Sequence, residues 1–115
     1  MVLPSRVFEL RTYHATPGKL DELLARFGDH TLALFDRHGL EVIGFWAGLD
    51  AEGAMDGTLV YLLAFADRAA AQQAWAAFRV DPDWIAVKAQ SEQEGSLTSA
   101  IESVFLNPTD FSQLR

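Results

Sequence analysis

The stretch Asp29–Trp46, DHTLALFDRHGLEVIGFW, decides the fold. Thr31, Leu34, Phe35 and His38 recur at helical spacing and share one face. Gly39 then sits where a helix turns left-handed to end. Glu41–Gly48, EVIGFWAG, is branched and aromatic, as strands are. A helix thus hands the chain directly to a strand. The stretch also holds His30 and His38, two of the three histidines. On one helix they stand about 80° apart around the axis and about 12 Å apart along it. That is too far to share a metal ion, because helical ligand pairs need i, i+4 spacing or close to it.

Upstream, Leu20, Leu23, Leu24 and Phe27 continue the apolar face. With Thr16 as cap and Pro17 at the first position, a helix from about Pro17 to His38 is expected. Before it, Val7–Tyr13, VFELRTY, alternates as a strand. Phe8, Leu10 and Thr12 are expected to face the helices. Val7, Glu9, Arg11 and Tyr13 are expected to face water, a cavity or another chain. Downstream, LDAEGAMDG reads as a loop, and Thr58–Ala66 as an apolar, central strand. Asp67 caps a helix with Ala71, Ala74, Trp75 and Phe78 on one face. Asp81-Pro82 closes it and starts another, running to Gly95. Leu97–Leu106 is a fourth strand, and the tail NPTDFSQLR offers Phe111 as an anchor.

The order β α β β α β over residues 1–115 describes one α+β, ferredoxin-like domain: four antiparallel strands with the helices on one face. First and last strands are neighbours, so Arg11 is expected to reach Glu102 on the uncovered face. That face would expose Val60, Leu62 and Ala64, or else Leu59, Tyr61, Leu63 and Phe65. A two-fold homodimer through the open sheet face would cover the patch.

Half the residues are apolar, enough for a core. There is no cysteine, which excludes disulfides, thiolate metal sites and cysteine nucleophiles. The net charge of −7 disfavours nucleic acid and anionic membranes as partners. No apolar run approaches the ~20 residues of a membrane span, and MVLPSRVFEL has no signal-peptide pattern. A cytoplasmic protein is expected.

ELRTYHATPGKLDELLARF, HTLALFDRHGLEVIGFW, LVYLLAFADRAAAQQAWAAFRVDPDW and IESVFLNPTDF together resemble the NIPSNAP domain, over about Val7 to Phe111. The combination of E-L-R-x-Y before P-G-K, H-G before G-F-W, W-x-x-F-x-x-D-P-x-W and L-x-P-T-D-F is what carries the resemblance. It implies a dimeric α/β-barrel, but no settled reaction. Larger animal members of the family are linked to mitochondria and to vesicle or mitophagy partners. Those roles are not expected to carry over, since neither a transit-peptide pattern nor a second domain copy is read in these residues. The superfamily so implied includes cofactor-free monooxygenases, isomerases and haem-binding enzymes, with pockets commonly between helices and sheet.

The side chains suited to such a pocket are Tyr13, His14, His30, His38, Trp46, Tyr61, Trp75 and Trp84. His30, at the edge of the apolar helical face, suits a general base or a haem ligand, and equally a hydrogen-bonded boundary residue. Tyr13 and Tyr61 would orient a substrate. Trp46, Trp75, Arg11 and His38 would contact it. Each has a plainer reading: core packing for the aromatics, a helix-end residue for His38, charge pairing of Arg11 with Glu9 and Glu102. No metal site and no obligatory cofactor is expected, haem being the one alternative. The expected function is a homodimer of unknown activity that binds a small apolar or aromatic molecule. The alternatives are a cofactor-independent monooxygenase or isomerase with a histidine base, and a protein-interaction module.

Overall fold

The computed structural model describes residues 6–115. Strands β1 (Val7–Ala15), β2 (Glu41–Leu49), β3 (Met55–Phe65) and β4 (Thr98–Leu106) form one antiparallel sheet in the order β2-β3-β1-β4. The helices are α1 (Leu20–Arg26), α2 (Leu32–Arg37), α3 (Arg68–Arg79) and α4 (Pro82–Ser91), with a π-helical turn, Phe27–Thr31, joining α1 to α2. This is the ferredoxin-like α+β arrangement expected from the element order.

The first helix begins at Leu20, not Pro17. Gly18 has φ +80°, and the Thr16 hydroxyl donates to the Ser96 carbonyl at 2.8 Å instead of capping a helix. Pro17-Gly18 is therefore a turn that ties the β1–α1 connection to the start of β4. In the π turn the Leu32 amide donates to the Phe27 carbonyl, and the Thr31 hydroxyl donates to the Arg26 carbonyl at 3.2 Å. Phe27 and Thr31 stay buried while His30 turns out to solvent. At the far end the expected glycine cap is present. Gly39 has φ +77°, and Leu40 donates to the Phe35 carbonyl at 2.9 Å, closing the helix with buried Leu40 beneath it. Asp67 and Asp81 cap α3 and α4 as expected, accepting from the amides of Ala70 and Asp83. Helix α4 stops at Ser91, short of Gly95.

The core between helices and sheet is aromatic. Tyr61 is fully buried at its centre, with Tyr13, Phe27, Phe35 and Phe45 ringed about it at centroid distances of 4.9–6.0 Å. Tyr13 and Phe27 meet it edge to face, a favoured geometry, while Phe35 and Phe45 are tilted against it. This arrangement reverses the expected facing of β1. Tyr13 and Glu9 point under the helices, paired across the sheet with Leu59 and Leu63, while Leu10 and Thr12 lie on the open face. The cause is that Glu9 and Arg11 satisfy each other inside, so the charged face of the strand can be buried. Arg11 therefore cannot reach Glu102. Arg11 is opposite Ser103, Glu102 is opposite Thr12 on the other face, and the partner of Glu102 is His14.

The open face carries Val60, Leu62 and Ala64, the first of the two sets considered, with Leu10, Trp46, Val104 and Leu106. Trp46 is 54% exposed. The C-terminal segment folds over one end, where Pro108 and Leu114 approach Phe8, Leu62 and Leu106. Phe111 is not its anchor: that ring is 88% exposed.

Candidate functional site

Glu9 is 2% exposed and accepts three hydrogen bonds, from Arg11 Nη1 at 2.8 Å, Trp75 Nε1 at 2.7 Å and the Ser103 hydroxyl at 2.6 Å. The carboxylate thus binds neighbouring strands β1 and β4 to helix α3. Arg11 lies over Trp75, its guanidinium carbon 4.3 Å from the ring centroid. Burial opposes the Arg11 charge. The neighbouring Tyr13 and Tyr61, with the Glu9 hydrogen bond, outweigh that and hold its pKa above the ordinary arginine value. Arg11 is a permanent cation.

Beside it runs a short hydrogen-bonded chain. The Tyr61 hydroxyl donates to the Tyr13 oxygen at 2.8 Å, and Arg11 Nη2 donates to the same oxygen at 3.4 Å. Desolvation raises the Tyr61 pKa well above its usual value, so Tyr61 stays protonated and remains a donor. With two donors on its oxygen, Tyr13 has its own proton left to donate elsewhere.

Both groups open onto a cleft of about 260 Å³ between the helices and β4. Its aromatic walls are Tyr13, Phe27, Phe35, Trp75, Phe78 and Trp84. Ile101, on the inward face of β4, is 47% exposed and lines the cleft. Arg26 reaches the cleft from α1, held by Ser91 and Glu92 at 3.1 and 2.8 Å, with Trp84 beside it.

The structure brings together Tyr13, Tyr61, Arg11 and Trp75, drawn from β1, β3 and α3. Trp84 lines the same cleft, but His14, His30, His38 and Trp46 do not. Trp46 is on the opposite side of the sheet. His38 Nε2 donates to Asp81 at 2.6 Å, tying the end of α2 to the cap of α4. That bond, the Asp83 amide and Arg37 hold the Asp81 pKa down at about 2. His30 lies on an open groove of about 610 Å³ with Glu22, Asp29 and Glu94, which meets the cleft only at Arg26. The rim of carboxylates would repel haem propionates, and the side chains facing it there are mostly polar, so these residues do not fit a haem. Among the described residues no group of three His, Asp or Glu side chains is placed to hold a metal ion. Sequence reasoning missed Arg26, Arg79 and Lys88 at the cleft. Only Arg26 left a local trace, lying between Leu23 and Phe27 on the apolar face.

A ferredoxin-like sheet with an aromatic cleft on its helical side defines a class of small α+β proteins. Within it, the model of the NIPSNAP family matches residues 8–113, and the chain belongs to that family. A NIPSNAP family protein of unknown function from Agrobacterium tumefaciens is 21% identical, covering 99% of this chain and 97% of that one, with a TM-score of 0.81. An uncharacterized NIPSNAP domain protein from Burkholderia xenovorans is 26% identical over 92% of this chain and 97% of its own, with a TM-score of 0.74. More distantly, SnoaB, a cofactor-independent oxygenase from Streptomyces nogalater, shares the fold at 16% identity, with coverage of 95% and 98% and a TM-score of 0.61. No curated protein matches the sequence. Among the described residues no helix is long and apolar enough to cross a membrane.

Proposed function

We propose that this NIPSNAP protein is a cytoplasmic homodimer, paired through its open sheet face, that binds a small apolar or aromatic molecule in the cleft beside Tyr13 and Trp75. The observation that carries the reading is the cleft itself: aromatic walls with a few convergent polar groups, the usual make-up of a small-molecule site. At about 260 Å³ it suits a one- or two-ring compound rather than a nucleotide or porphyrin. The dimer is supported by the apolar side chains that the open face leaves in water, including Trp46, Val104 and Leu106. Trp75 and Trp84 line the cleft and Trp46 does not, so Trp46→Phe leaves tryptophan fluorescence reporting on the cleft alone. Titrating that variant with one- and two-ring aromatics is expected to give saturable quenching. Linear, non-saturating quenching across the whole panel would remove the cleft as a binding site.

A second reading, catalysis of the cofactor-independent oxygenase or isomerase type, is favoured by one observation. The proton of Tyr13, backed by Tyr61 and Arg11, is free to stabilise an oxyanion in the cleft. The exposed His30 lies outside that arrangement, so in this reading the base belongs to the substrate or to solvent. Turnover of a bound phenol or enol that disappears in Tyr13→Phe, with binding retained, is the result that distinguishes catalysis from binding.

A further inference from the structure

We infer that the molecule held in this cleft is a planar aromatic anion, its carboxylate read by the cations at the mouth. The inference rests on the cleft being the small-molecule site and adds the charge of its ligand. The chain is acidic, with sixteen Asp and Glu against nine Lys and Arg. Yet four of those nine cations, Arg11, Arg26, Arg79 and Lys88, line this one cleft. Only two carboxylates oppose them. Glu92 is engaged by Arg26, and Glu9 lies beneath Arg11, already accepting three hydrogen bonds. Among the described residues neither Arg79 nor Lys88 has a carboxylate partner.

The donors are also in excess where donors are costly. Arg11 Nε and Arg26 Nε are buried without an acceptor, and Arg26 as a residue is only 7% exposed. A buried N–H with no partner is unfavourable, so both guanidiniums carry donors beyond those that Glu9 and Glu92 satisfy. Arg11 and Arg79 both lie against Trp75, at 4.3 and 5.4 Å from the ring centroid, so two guanidiniums converge on one indole. Arginine presents a flat fork of donors that matches a carboxylate, while Trp84, Phe78 and Tyr13 offer faces and edges for a ring. Positive charge at the rim and aromatic surface within select an aromatic carboxylate over a neutral ring or an aliphatic acid.

The test is calorimetric titration of the full chain with benzoate, salicylate and 2-naphthoate, each beside its neutral carboxamide. The anion is expected to bind about tenfold or more tightly than its amide, and to weaken as salt is raised. Arg79→Gln with Lys88→Gln, both on exposed helix positions, is expected to lower the anion's affinity by about tenfold and leave the amide's unchanged. Arg11→Met is expected to reduce it further, with circular dichroism checking that the variant folds. Equal binding of acid and amide, or indifference to Arg79→Gln with Lys88→Gln, overturns the charge inference while leaving an aromatic site. Binding of neither acids nor amides overturns the cleft reading and the inference with it.

Discussion

Replacing Glu9 by leucine removes the one acceptor shared by Arg11, Trp75 and Ser103. The Arg11 side chain is only 12% exposed and its pKa lies above the ordinary value, so it cannot escape by losing a proton. An uncompensated buried charge of this kind costs about 3–5 kcal/mol. Trp75 Nε1 loses its partner as well, adding about 1–3 kcal/mol. Ser103 sits on an exposed strand and can turn its hydroxyl to water, so it adds little. Arg11→Met is milder, because Glu9 keeps two of its three donors; about 3 kcal/mol is expected. Glu9→Leu with Arg11→Met removes both charges, leaving chiefly the Trp75 N–H unpaired at about 1–3 kcal/mol. The cycle should therefore close with a coupling of roughly 6–8 kcal/mol, the two unpaired-charge costs that the double variant avoids, and Glu9→Leu should be the worst of the three. Urea unfolding at one fixed protein concentration measures it, since association would add a concentration-dependent contribution. Costs that simply add, to within about 0.5 kcal/mol, would refute the buried pair as the organiser of the site.

Other consequences are more local. The Asp81 carboxyl is held at about 2, below an unfolded value of about 3.9, so its contribution is complete above the unfolded value and is lost as pH falls toward 2. Asp81→Ala should flatten that part of the acid-unfolding curve, and melting curves of the two proteins that run parallel throughout would contradict it. Gly48→Ala would put a Cβ 2.1 Å from Thr58 Oγ1, whose bond to Asp56 stops it from swinging away, so a loss of about 1–3 kcal/mol is expected. Gly39→Ala meets open space and suffers only its φ of +77°, about 1 kcal/mol, so thermal melting should rank Gly48→Ala as the more damaging. Val104→Glu places a charge on the open face at a position that is half exposed in the single chain. Light scattering should show the variant as a monomer of unchanged fold, and an unaltered oligomer would count against pairing through this face.

Element order and three of the four expected caps were legible because they are written locally; the Thr16 cap failed because its hydroxyl bonds the distant Ser96 carbonyl instead. Gly39, Asp67 and Asp81-Pro82 each act within a few residues, and each cap forms where those residues place it. The facing of β1 was not, since both sides of VFELRTY mix polar with apolar and charge was read as exposure. Glu9, Arg11 and Tyr13 at i, i+2 and i+4 share one side of the strand. Their mutual satisfaction is what allows burial, and it depends on Trp75, 66 residues away. The π turn was invisible for a different reason: neither proline nor an unusual spacing marks it, and it shows only in the bond from the Leu32 amide to the Phe27 carbonyl and in that from the Thr31 hydroxyl to the Arg26 carbonyl. Half of the candidate site followed the same division. Tyr13, Tyr61, Arg11 and Trp75 were found by residue type. Arg26, Arg79 and Lys88 arrive from three different helices, and no local spacing could join them.

Native mass spectrometry of the full chain, with and without excess 2-naphthoate, tests the central claim most directly. A dimer that takes up one ligand per chain, with the Arg79→Gln, Lys88→Gln variant taking up less, is the predicted result. A monomer, or a dimer that binds none, would contradict it.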